Sequence, residues 1–441
     1  MNSTEMKSGG SSWKGPFFVV TSLFFMWGFI TVLVDALIPR LKDVFELKLW
    51  QAGLVQFAWF TAYGLISIPG GNLIERIGYK KGILVGLGLA GLGCLLFYPA
   101  AATRMYGIFL LALFVVASGI TILQVAANPY IAVLGDADRA SSRLNLAQAF
   151  NSLGTTIAPL VAAGWLLSDQ ILSASQQSAL APTELEAYRA SEAAAVQGPF
   201  MMLALGFVVL ALLIGLAKLP AILSRQADGT YGQVLKNKRL LFGAIGIFVY
   251  VGAEVAIGSY MVNYGLSLGV TDEILAHPVL RKLVEASAWL KGGDVAGMDA
   301  KAAIGALLTF YWGGAMIGRF LGSGLMTRWK PQQILSLFAL GAASLVLLSS
   351  VTSGVLALVL LLGVGLMNSV MFPTIFTVAI EDLGDLKPLG SGVLCTAIVG
   401  GAVIPPAMGA MAESWGFAVA LVLPLLCYGY ISWYGRKGLA M

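Results

Sequence analysis

Long apolar stretches, separated by short polar and charged segments, recur along nearly the whole chain. A helix needs about 20 mostly apolar residues to cross the hydrocarbon core of a bilayer. The pattern predicts transmembrane helices at approximately 16–39, 50–74, 82–102, 106–134, 143–168, 197–218, 240–268, 302–327, 332–351, 354–380, 389–411 and 416–434. Two polar stretches, 168–197 and 269–301, interrupt this series, and the second is long enough to hold short interfacial helices. We therefore expect an all-α membrane protein with twelve spans.

Composition excludes a soluble globular protein. The 441 residues are 58% hydrophobic and only 11% charged, whereas soluble domains carry roughly 25% charged residues. The net charge of +5 comes from basic residues in the loops between apolar spans. That distribution is typical of membrane topology, so we do not expect a nucleic-acid partner.

The basic residues also predict an orientation. With both termini on one side, the loops and tails of that side hold 17 of the 27 Lys and Arg residues, and the other side holds nine. Arg319 alone lies within a predicted span. Because loops rich in Lys and Arg stay in the cytoplasm, we expect both termini to be cytoplasmic, in a bacterial inner (plasma) membrane.

The chain repeats itself at an offset of about 250 residues. GNLIERIGYKK, from Gly71, ends the second span, and the similar SGLMTRWKPQQ, from Ser323, ends the eighth. This repeat predicts two pseudo-symmetric six-helix halves at 16–218 and 240–434, a cytoplasmic linker at 219–239, and cytoplasmic tails at 1–15 and 435–441. Many secondary transporters are built from repeated halves, with the substrate site between them near the middle of the membrane.

The segment GNLIERIGYKK resembles the signature loop of the major facilitator superfamily, G-x-L-x-[DE]-R-x-G-x-[KR]-[KR]. Its glycine allows close helix approach, and its acid can pair with a cation or a helix N-terminus of the other half. Its basic residues hold the loop at the anionic inner leaflet, and fixing topology alone is the alternative role for them. The resemblance implies conformational gating by Gly71, Glu75, Arg76, Lys80 and, in the second copy, Arg328.

A more specific resemblance, to the fucose–galactose–hexose symporter family, covers almost the whole chain. It rests on FFMWGFITVLVDALIPRLK, QVAANPYIAVLG, RLNLAQAFNSLGTTIAP, YVGAEVAIGSYMVNYG and FPTIFTVAIEDLG, which begin at Phe24, Gln124, Arg143, Tyr250 and Phe372. It implies a major facilitator fold and sugar symport driven by H⁺ or Na⁺, with no organic cofactor and a monomeric protein.

Two departures from the family pattern matter. Val34 precedes Asp35 where family members read Asn-Asp. Fucose carriers have an acid where this chain has Gln124 and an amide where it has Glu254, and this second pattern resembles the glucose/galactose and N-acetylglucosamine carriers. We therefore expect a hexose of one of these types, with fucose–proton symport as the alternative.

Asp35 and Glu254 are the two acids that lie well inside predicted spans. A charge at the bilayer centre costs at least about 2.5–3.5 kcal/mol, so each must face a cavity or a partner. We expect Asp35 to couple transport to the cation. Glu254 can bind sugar hydroxyls, the cation, or both; an acid held by an interhelical hydrogen bond is the structural alternative.

Amide and aromatic side chains cluster in the same spans. Amides both donate and accept hydrogen bonds, as sugar hydroxyls require, and aromatic rings can cover the apolar face of a pyranose. Polar contacts between helices, worth about 0.6 kcal/mol each, are the alternative role for any single amide. The expected substrate-binding set is Trp27, Gln124, Asn128, Asn145, Gln148, Asn151, Tyr250, Glu254, Asn263 and Asn368.

Other function classes lack their residues. The single histidine and scattered cysteines supply neither a catalytic centre nor a metal site, so we expect no enzyme and no bound metal. A channel would show a re-entrant filter or charged rings, and an ATP-driven pump would need a phosphate-binding loop. A uniporter and a non-transporting sugar receptor stay open, as do the identity of the sugar and of the ion.

Overall fold

The computed structural model describes residues 13–44, 49–161, 179–220, 229–290 and 300–437. The side chains of some residues within these ranges, including that of Asp35, lie outside the description. The described residues form helices and short connections, with no strand among them.

Twelve long helical units follow one another along the described part of the chain. They are α1 (Lys14–Val44), α2 (Leu49–Ile77), α3 (Tyr79–Thr103), α4 (Tyr106–Val133), α5 (Ala140–Val161), α6 (Pro182–Leu216), α7 (Lys238–Ser267), α8 (Ala300–Leu325), α9 (Pro331–Val351), α10 (Gly354–Ala379), α11 (Glu381–Trp415) and α12 (Phe417–Lys437).

Within their described residues, ten of these units are long and apolar enough to cross a membrane, and α2 and α5 are the two that do not meet this criterion. Amides and an arginine lower the hydropathy of α5, which carries Arg143, Asn145, Gln148 and Asn151 on 22 residues. A helix this polar crosses a bilayer only when it is shielded from lipid by its neighbours.

Most predicted span ends lie within a few residues of the helix ends, although α1 continues to Val44 and α11 begins at Glu381. The predicted end of the fifth span, at 168, lies outside the described residues. The largest difference is at one long helix. Helix α6 begins at Pro182, so the prediction of a loop over 168–197 is wrong from residue 182 onward. Alanine and glutamate favour helix here, and the Glu184 carboxylate accepts a hydrogen bond from the Ala181 amide at 3.1 Å. In the second long polar stretch, helices Thr271–Ala276 and Pro278–Leu290 confirm the expected short helices.

A close glycine contact is repeated in the two halves. In α5, a Cβ on Gly154 would overlap the carbonyl oxygen of Phe25 in α1; in α11, a Cβ on Gly400 would overlap that of Phe248 in α7. The absence of a side chain lets each helix pair pack backbone to backbone. The first and seventh helices therefore have matching partners, as pseudo-symmetric halves require.

The halves meet through a small set of helices. Helix α2 packs on α11, and α5 packs on α8 and α10, while α4 also contacts α11. Two of these units are interrupted near their middle. Helix α10 consists of Gly354–Asn368 and Met371–Ala379, and α11 passes through a 3₁₀ turn at Ala397–Val399.

Candidate functional site

A cavity of about 210 Å³ lies between the two halves. Among the described residues, seven helices contribute to its wall, and its lining includes six of the residues expected to bind substrate: Trp27, Gln124, Gln148, Asn151, Tyr250 and Glu254. The remaining lining residues are Val251, Arg319, Phe372, Pro373 and Ile398. Both interrupted units, α10 and α11, contribute here, as expected where irregular backbone lines a cavity.

A hydrogen-bonded group fixes the Glu254 carboxylate. Tyr250, one turn earlier on α7, donates its hydroxyl to Oε1 of Glu254 at 2.7 Å. Tyr311 of α8 donates to the backbone carbonyl of Glu254 at 3.1 Å. Asn368 of α10 in turn donates its amide to the Tyr311 hydroxyl at 2.8 Å. Asn368 therefore supports the cavity wall from behind.

Arg319 faces the same cavity from α8. Its Nε donates to the Ser369 carbonyl at 3.2 Å, and another guanidinium nitrogen donates to the Ser152 hydroxyl of α5. The arginine therefore joins the two halves beside Glu254. No ion pair within 4 Å joins it to a carboxylate in the described part of the chain, which leaves out the Asp35 side chain.

The three cavity amides each donate to a neighbour in the first half. Gln124 donates to the Tyr63 hydroxyl at 2.5 Å, and Gln148 donates to the Asn128 side-chain oxygen at 3.2 Å. Asn151 donates to the Phe24 carbonyl at 2.9 Å. These bonds orient the amide groups in the cavity wall.

Four predicted substrate contacts lie away from the cavity lining. Asn128 is buried behind Gln148, and Asn368 lies behind Tyr311. Asn145 is buried and donates to the Ser141 carbonyl at 2.9 Å and to the Thr374 hydroxyl at 3.2 Å. Asn263 is exposed on α7, about 13 Å beyond Glu254 along the helix axis.

Sequence reasoning missed several members of the site. Arg319 carried a signal, since it is the one basic residue inside a predicted span, but no site role was assigned to it. Tyr63 and Tyr311, which hold Gln124 and the Glu254 backbone, carry no distinguishing pattern among the 14 tyrosines. Phe372 and Pro373 open a block that resembles the family, but no site role was assigned to either.

The residues predicted to gate the transporter occupy different environments. Gly71 lies where α2 meets α11, close to the Pro388 carbonyl and to Gly392. Lys80 donates to the Gly215 and Ala217 carbonyls at 2.7 and 2.8 Å, which places its charge at the C-terminal end of α6 in its own half.

The acid and the arginines of the gating set face the linker or solvent. Glu75 approaches Gly229 of the linker, and its Oε1 atom has no hydrogen-bond partner among the described residues. The expected pairing of this acid with the other half is not found in that part of the chain. Arg76 and Arg328 are exposed.

Hydrogen bonds close the end of the bundle that carries the predicted cytoplasmic loops. Ser142 of α5 donates to the Ser323 carbonyl of α8 at 2.8 Å, and Ser323 donates to the Ser142 carbonyl at 2.8 Å. The Ser141 and Thr377 hydroxyls are 2.6 Å apart, and Ser391 donates to the Val125 carbonyl at 2.9 Å. The halves are therefore in direct contact below the cavity.

The linker adds one further contact at this end. Tyr231, in the short helix Tyr231–Val234, donates its hydroxyl to the Ile68 carbonyl of α2 at 2.6 Å. A Cβ on Gly392 of α11 would lie 2.9 Å from that hydroxyl, and one on Gly71 would overlap it. The phenol thus occupies a notch made by one glycine from each half.

Comparisons with known proteins agree with this architecture. The family model described as Major Facilitator Superfamily matches residues 16–406. A glucose/galactose transporter of Brucella abortus biovar 1 (strain 9-941) is 45% identical over 97% of this chain and 96% of its own. An L-fucose-proton symporter of Escherichia coli (strain K12) is 34% identical over 96% of this chain and 92% of its own.

A solved structure gives the same result in three dimensions. The crystal structure of the major facilitator superfamily transporter FucP, in the outward conformation, superposes with a TM-score of 0.85 at 33% identity, over 97% of this chain and 99% of that one. The chain belongs to the major facilitator superfamily and, within it, to the fucose–galactose–hexose symporter family.

Proposed function

We propose that this protein imports a hexose of the glucose, galactose or N-acetylglucosamine type by symport with H⁺ or Na⁺. The observation that carries the proposal is the central cavity, where Glu254, three amides and three aromatic rings, contributed by both halves, surround one space. The relatives named as glucose/galactose transporters support the choice of sugar. Fucose–proton symport is the alternative, from the more distant relatives.

The wall of the cavity suits a pyranose. The rings of Trp27 and Phe372 offer apolar surface for the face of the sugar. Gln124, Gln148 and Asn151 offer groups that both donate to and accept from hydroxyls. The Glu254 carboxylate accepts from hydroxyls, and such charge-assisted bonds are about twice as strong as neutral ones.

Cation coupling follows from the cost of an uncompensated acid. A carboxylate inside the membrane is tolerated when it faces water, a partner or a bound cation. When the halves close around Asp35 or Glu254, a proton or Na⁺ must neutralise the acid, or the closed state is disfavoured. We propose Asp35 as the coupling carboxylate, with Glu254 contributing to sugar binding, to cation binding, or to both.

In alternating access, the cavity opens to one side of the membrane at a time. The described conformation is closed on the predicted cytoplasmic side, so it is the one that gives access from the opposite side. The contacts around Ser142, Ser323 and Tyr231 shut the cavity from the predicted cytoplasmic side, so sugar enters from the opposite side. For import, the protein must then release these contacts after closing above the sugar. We place it as a monomer in the bacterial inner membrane, with both termini in the cytoplasm and lipid around it.

Reconstituted liposomes test the proposal. We expect purified protein to accumulate glucose, galactose or N-acetylglucosamine under an imposed pH gradient or an imposed Na⁺ gradient, and L-fucose poorly. Asp35→Asn should lose accumulation but keep counterflow, which needs no net ion movement. Concentrative uptake by this variant would exclude Asp35 as the coupling residue. Preference for L-fucose would favour the alternative, and a lack of counterflow with every sugar would indicate a receptor.

A further inference from the structure

A second groove, of about 490 Å³, lies between α9 and α12 at the closed end of the bundle. It is separate from the central cavity and shares no residue with it. Two cations, three polar side chains, two leucines and one glycine line it: Lys330, Arg436, Gln332, Gln333, Ser336, Leu337, Leu340 and Gly435. No acidic residue is among these lining residues.

The charges of the groove come from two different helices. Lys330 precedes the first turn of α9, and Arg436 lies in the last turn of α12. Both side chains are exposed, and Arg436 donates its Nε to the Ser336 hydroxyl at 3.2 Å, which aims the guanidinium across the groove. An anionic group between the two helices would therefore meet a cation on each side.

Two acidic side chains at the same end of the bundle pair with a different cation. Glu381 and Asp382, at the start of α11, form ion pairs with Arg239 at 3.0 and 2.7 Å. Lys330 and Arg436 have no ion-pair partner within 4 Å in the described ranges. The groove thus carries net positive charge.

The apolar part of the groove faces the surroundings of the helix bundle. Leu337 and Leu340 share one face of α9 because they are three residues apart, and they are 59% and 39% exposed. In a transmembrane helix such residues face acyl chains. A soluble phosphate compound would use the cations and leave these leucines unused.

Two tryptophans mark the depth of the site. Trp329 directly precedes Lys330, and Trp433 lies three residues before Arg436; they are 55% and 39% exposed. Tryptophan is enriched at membrane–water interfaces. The cations therefore lie at headgroup level, with the leucines on the hydrocarbon side.

We infer that this groove binds an anionic phospholipid, with its phosphate between Lys330 and Arg436 and an acyl chain along Leu337 and Leu340. Basic pockets between transmembrane helices on the cytoplasmic side are suited to such headgroups. This site is independent of which sugar the protein carries. Lys330 and Gln332 also line a separate cleft of about 650 Å³ between the halves, which contains the bonded pair Ser141 and Thr377. The lipid therefore lies beside the contacts that close the transporter.

Native mass spectrometry of the purified chain in nonionic detergent tests the site. Phosphatidylglycerol is titrated against phosphatidylcholine, and the fraction of protein with one bound lipid is measured. We expect preferential binding of phosphatidylglycerol. The double variant Lys330→Ala/Arg436→Ala should bind it about thirtyfold more weakly, on the basis of about 1 kcal/mol for each cation.

Matched variants distinguish lipid binding in this groove from general electrostatic attraction of anionic lipid to the basic end of the protein. Lys236→Ala/Lys238→Ala removes two exposed cations from the same end of the bundle and should leave binding unchanged. Lys330→Arg/Arg436→Lys keeps the charges and should retain most binding, which controls for misfolding. Equal loss in the control pair would indicate diffuse attraction and overturn the site, as would unchanged binding by the double alanine variant.

A soluble competitor tests whether the groove recognises a whole phospholipid or only its phosphate group. Glycerol 3-phosphate carries the anion without acyl chains, and we expect millimolar concentrations to leave phosphatidylglycerol bound. Leu337→Ser/Leu340→Ser should weaken lipid binding while both cations stay in place. Displacement by glycerol 3-phosphate, together with unchanged binding by the serine variant, would assign the groove to a soluble phosphate compound and overturn the inference.

Discussion

At the scale of single residues, Glu254 is the strongest candidate for sugar recognition. A buried hydrogen bond to a charged group contributes about 1.5–3 kcal/mol, and each 1.4 kcal/mol is tenfold in affinity. Glu254→Ala should therefore weaken binding of the preferred sugar by about ten- to a hundredfold, and Gln124→Ala by less. Calorimetry in detergent, with and without Na⁺, measures both effects.

Asn263→Ala serves as the control for these two variants, because Asn263 lies on α7 but outside the cavity. We expect its affinity to match that of the unmodified protein. If Glu254→Ala and Gln124→Ala also bound sugar with unchanged affinity while folded, these side chains would be contacts between helices and the site would lie elsewhere.

Arg319 should control movement more than binding. Its planar guanidinium bonds Ser369 of its own half and Ser152 of the other, and the ammonium group of lysine cannot reproduce that fork. Arg319→Lys should slow counterflow at saturating sugar by about tenfold or more, with little change in sugar affinity.

Ser152→Ala, which removes only the α5 partner, should slow counterflow in the same direction by a smaller factor. A loss of affinity in Arg319→Lys, with turnover intact, would instead assign the arginine to sugar binding.

Helix geometry explains which site residues could be predicted from the sequence. Glu254, Gln124 and Gln148 stand out because polar groups are costly among apolar neighbours. Asn263 has the same composition signal, but it follows Glu254 by nine residues, which is two and a half turns. It therefore lies on the opposite face of α7, where a count of polar residues cannot distinguish it.

At the scale of elements, the linker helix contributes to closure through one hydroxyl. Tyr231→Phe removes the bond to Ile68 and keeps the ring, so the closed form should lose about 0.5–1.5 kcal/mol. Burial, and then the charge of Glu75, raise the pKa of Tyr231. The hydroxyl therefore stays protonated below the usual tyrosine value of about 10, and its bond is lost only at higher pH.

Thermal unfolding in detergent, measured between pH 6 and 9, checks this prediction. We expect Tyr231→Phe to lower the midpoint by the same amount across the range. A difference that vanished toward pH 9 would show that the hydroxyl titrates. An unchanged midpoint would show that the ring, and not its hydroxyl, fills the notch between Gly71 and Gly392.

Element boundaries were predictable where hydropathy alone decides them. The apolar part of α6, Gln197–Leu216, closely matches the predicted span at 197–218. Its first fifteen residues are polar and alanine-rich, so they carry no transmembrane signal although they continue the same helix. Local capping at Ala181 and Glu184 determines that start, and such caps are weak signals in a sequence.

At the scale of the whole molecule, the bonded pair Ser142 and Ser323 should affect the relative populations of the closed and open conformations. Spin labels at Lys81→Cys and Thr327→Cys report the distance between halves, since both sites are exposed, neither belongs to the gating set, and the native cysteines are buried. In Ser142→Ala/Ser323→Ala, the distance distribution should gain a longer component. Ser118→Ala, a buried serine bonded within α4, should leave the distribution unchanged.

An unchanged distribution in Ser142→Ala/Ser323→Ala would mean that packing of α2 on α11 alone keeps this end closed. The two-half architecture itself was predictable from the repeat between the segments that begin at Gly71 and Ser323, and the matching contacts of Gly154 and Gly400 agree with it. The conformation was not predictable, since one sequence encodes both states and only the contacts between halves distinguish them.

The reciprocal serine bonds have a consequence for leakage. Ser142 and Ser323 each donate to the other's carbonyl in a buried contact, so a slight separation breaks both bonds before water can enter. A buried polar group without a hydrogen-bond partner costs about 1–3 kcal/mol. Conformations in which the two halves are only slightly separated are therefore disfavoured. Opening is thus favoured only when the gap is wide enough to hydrate, and ions find no half-open path through which to dissipate the gradient.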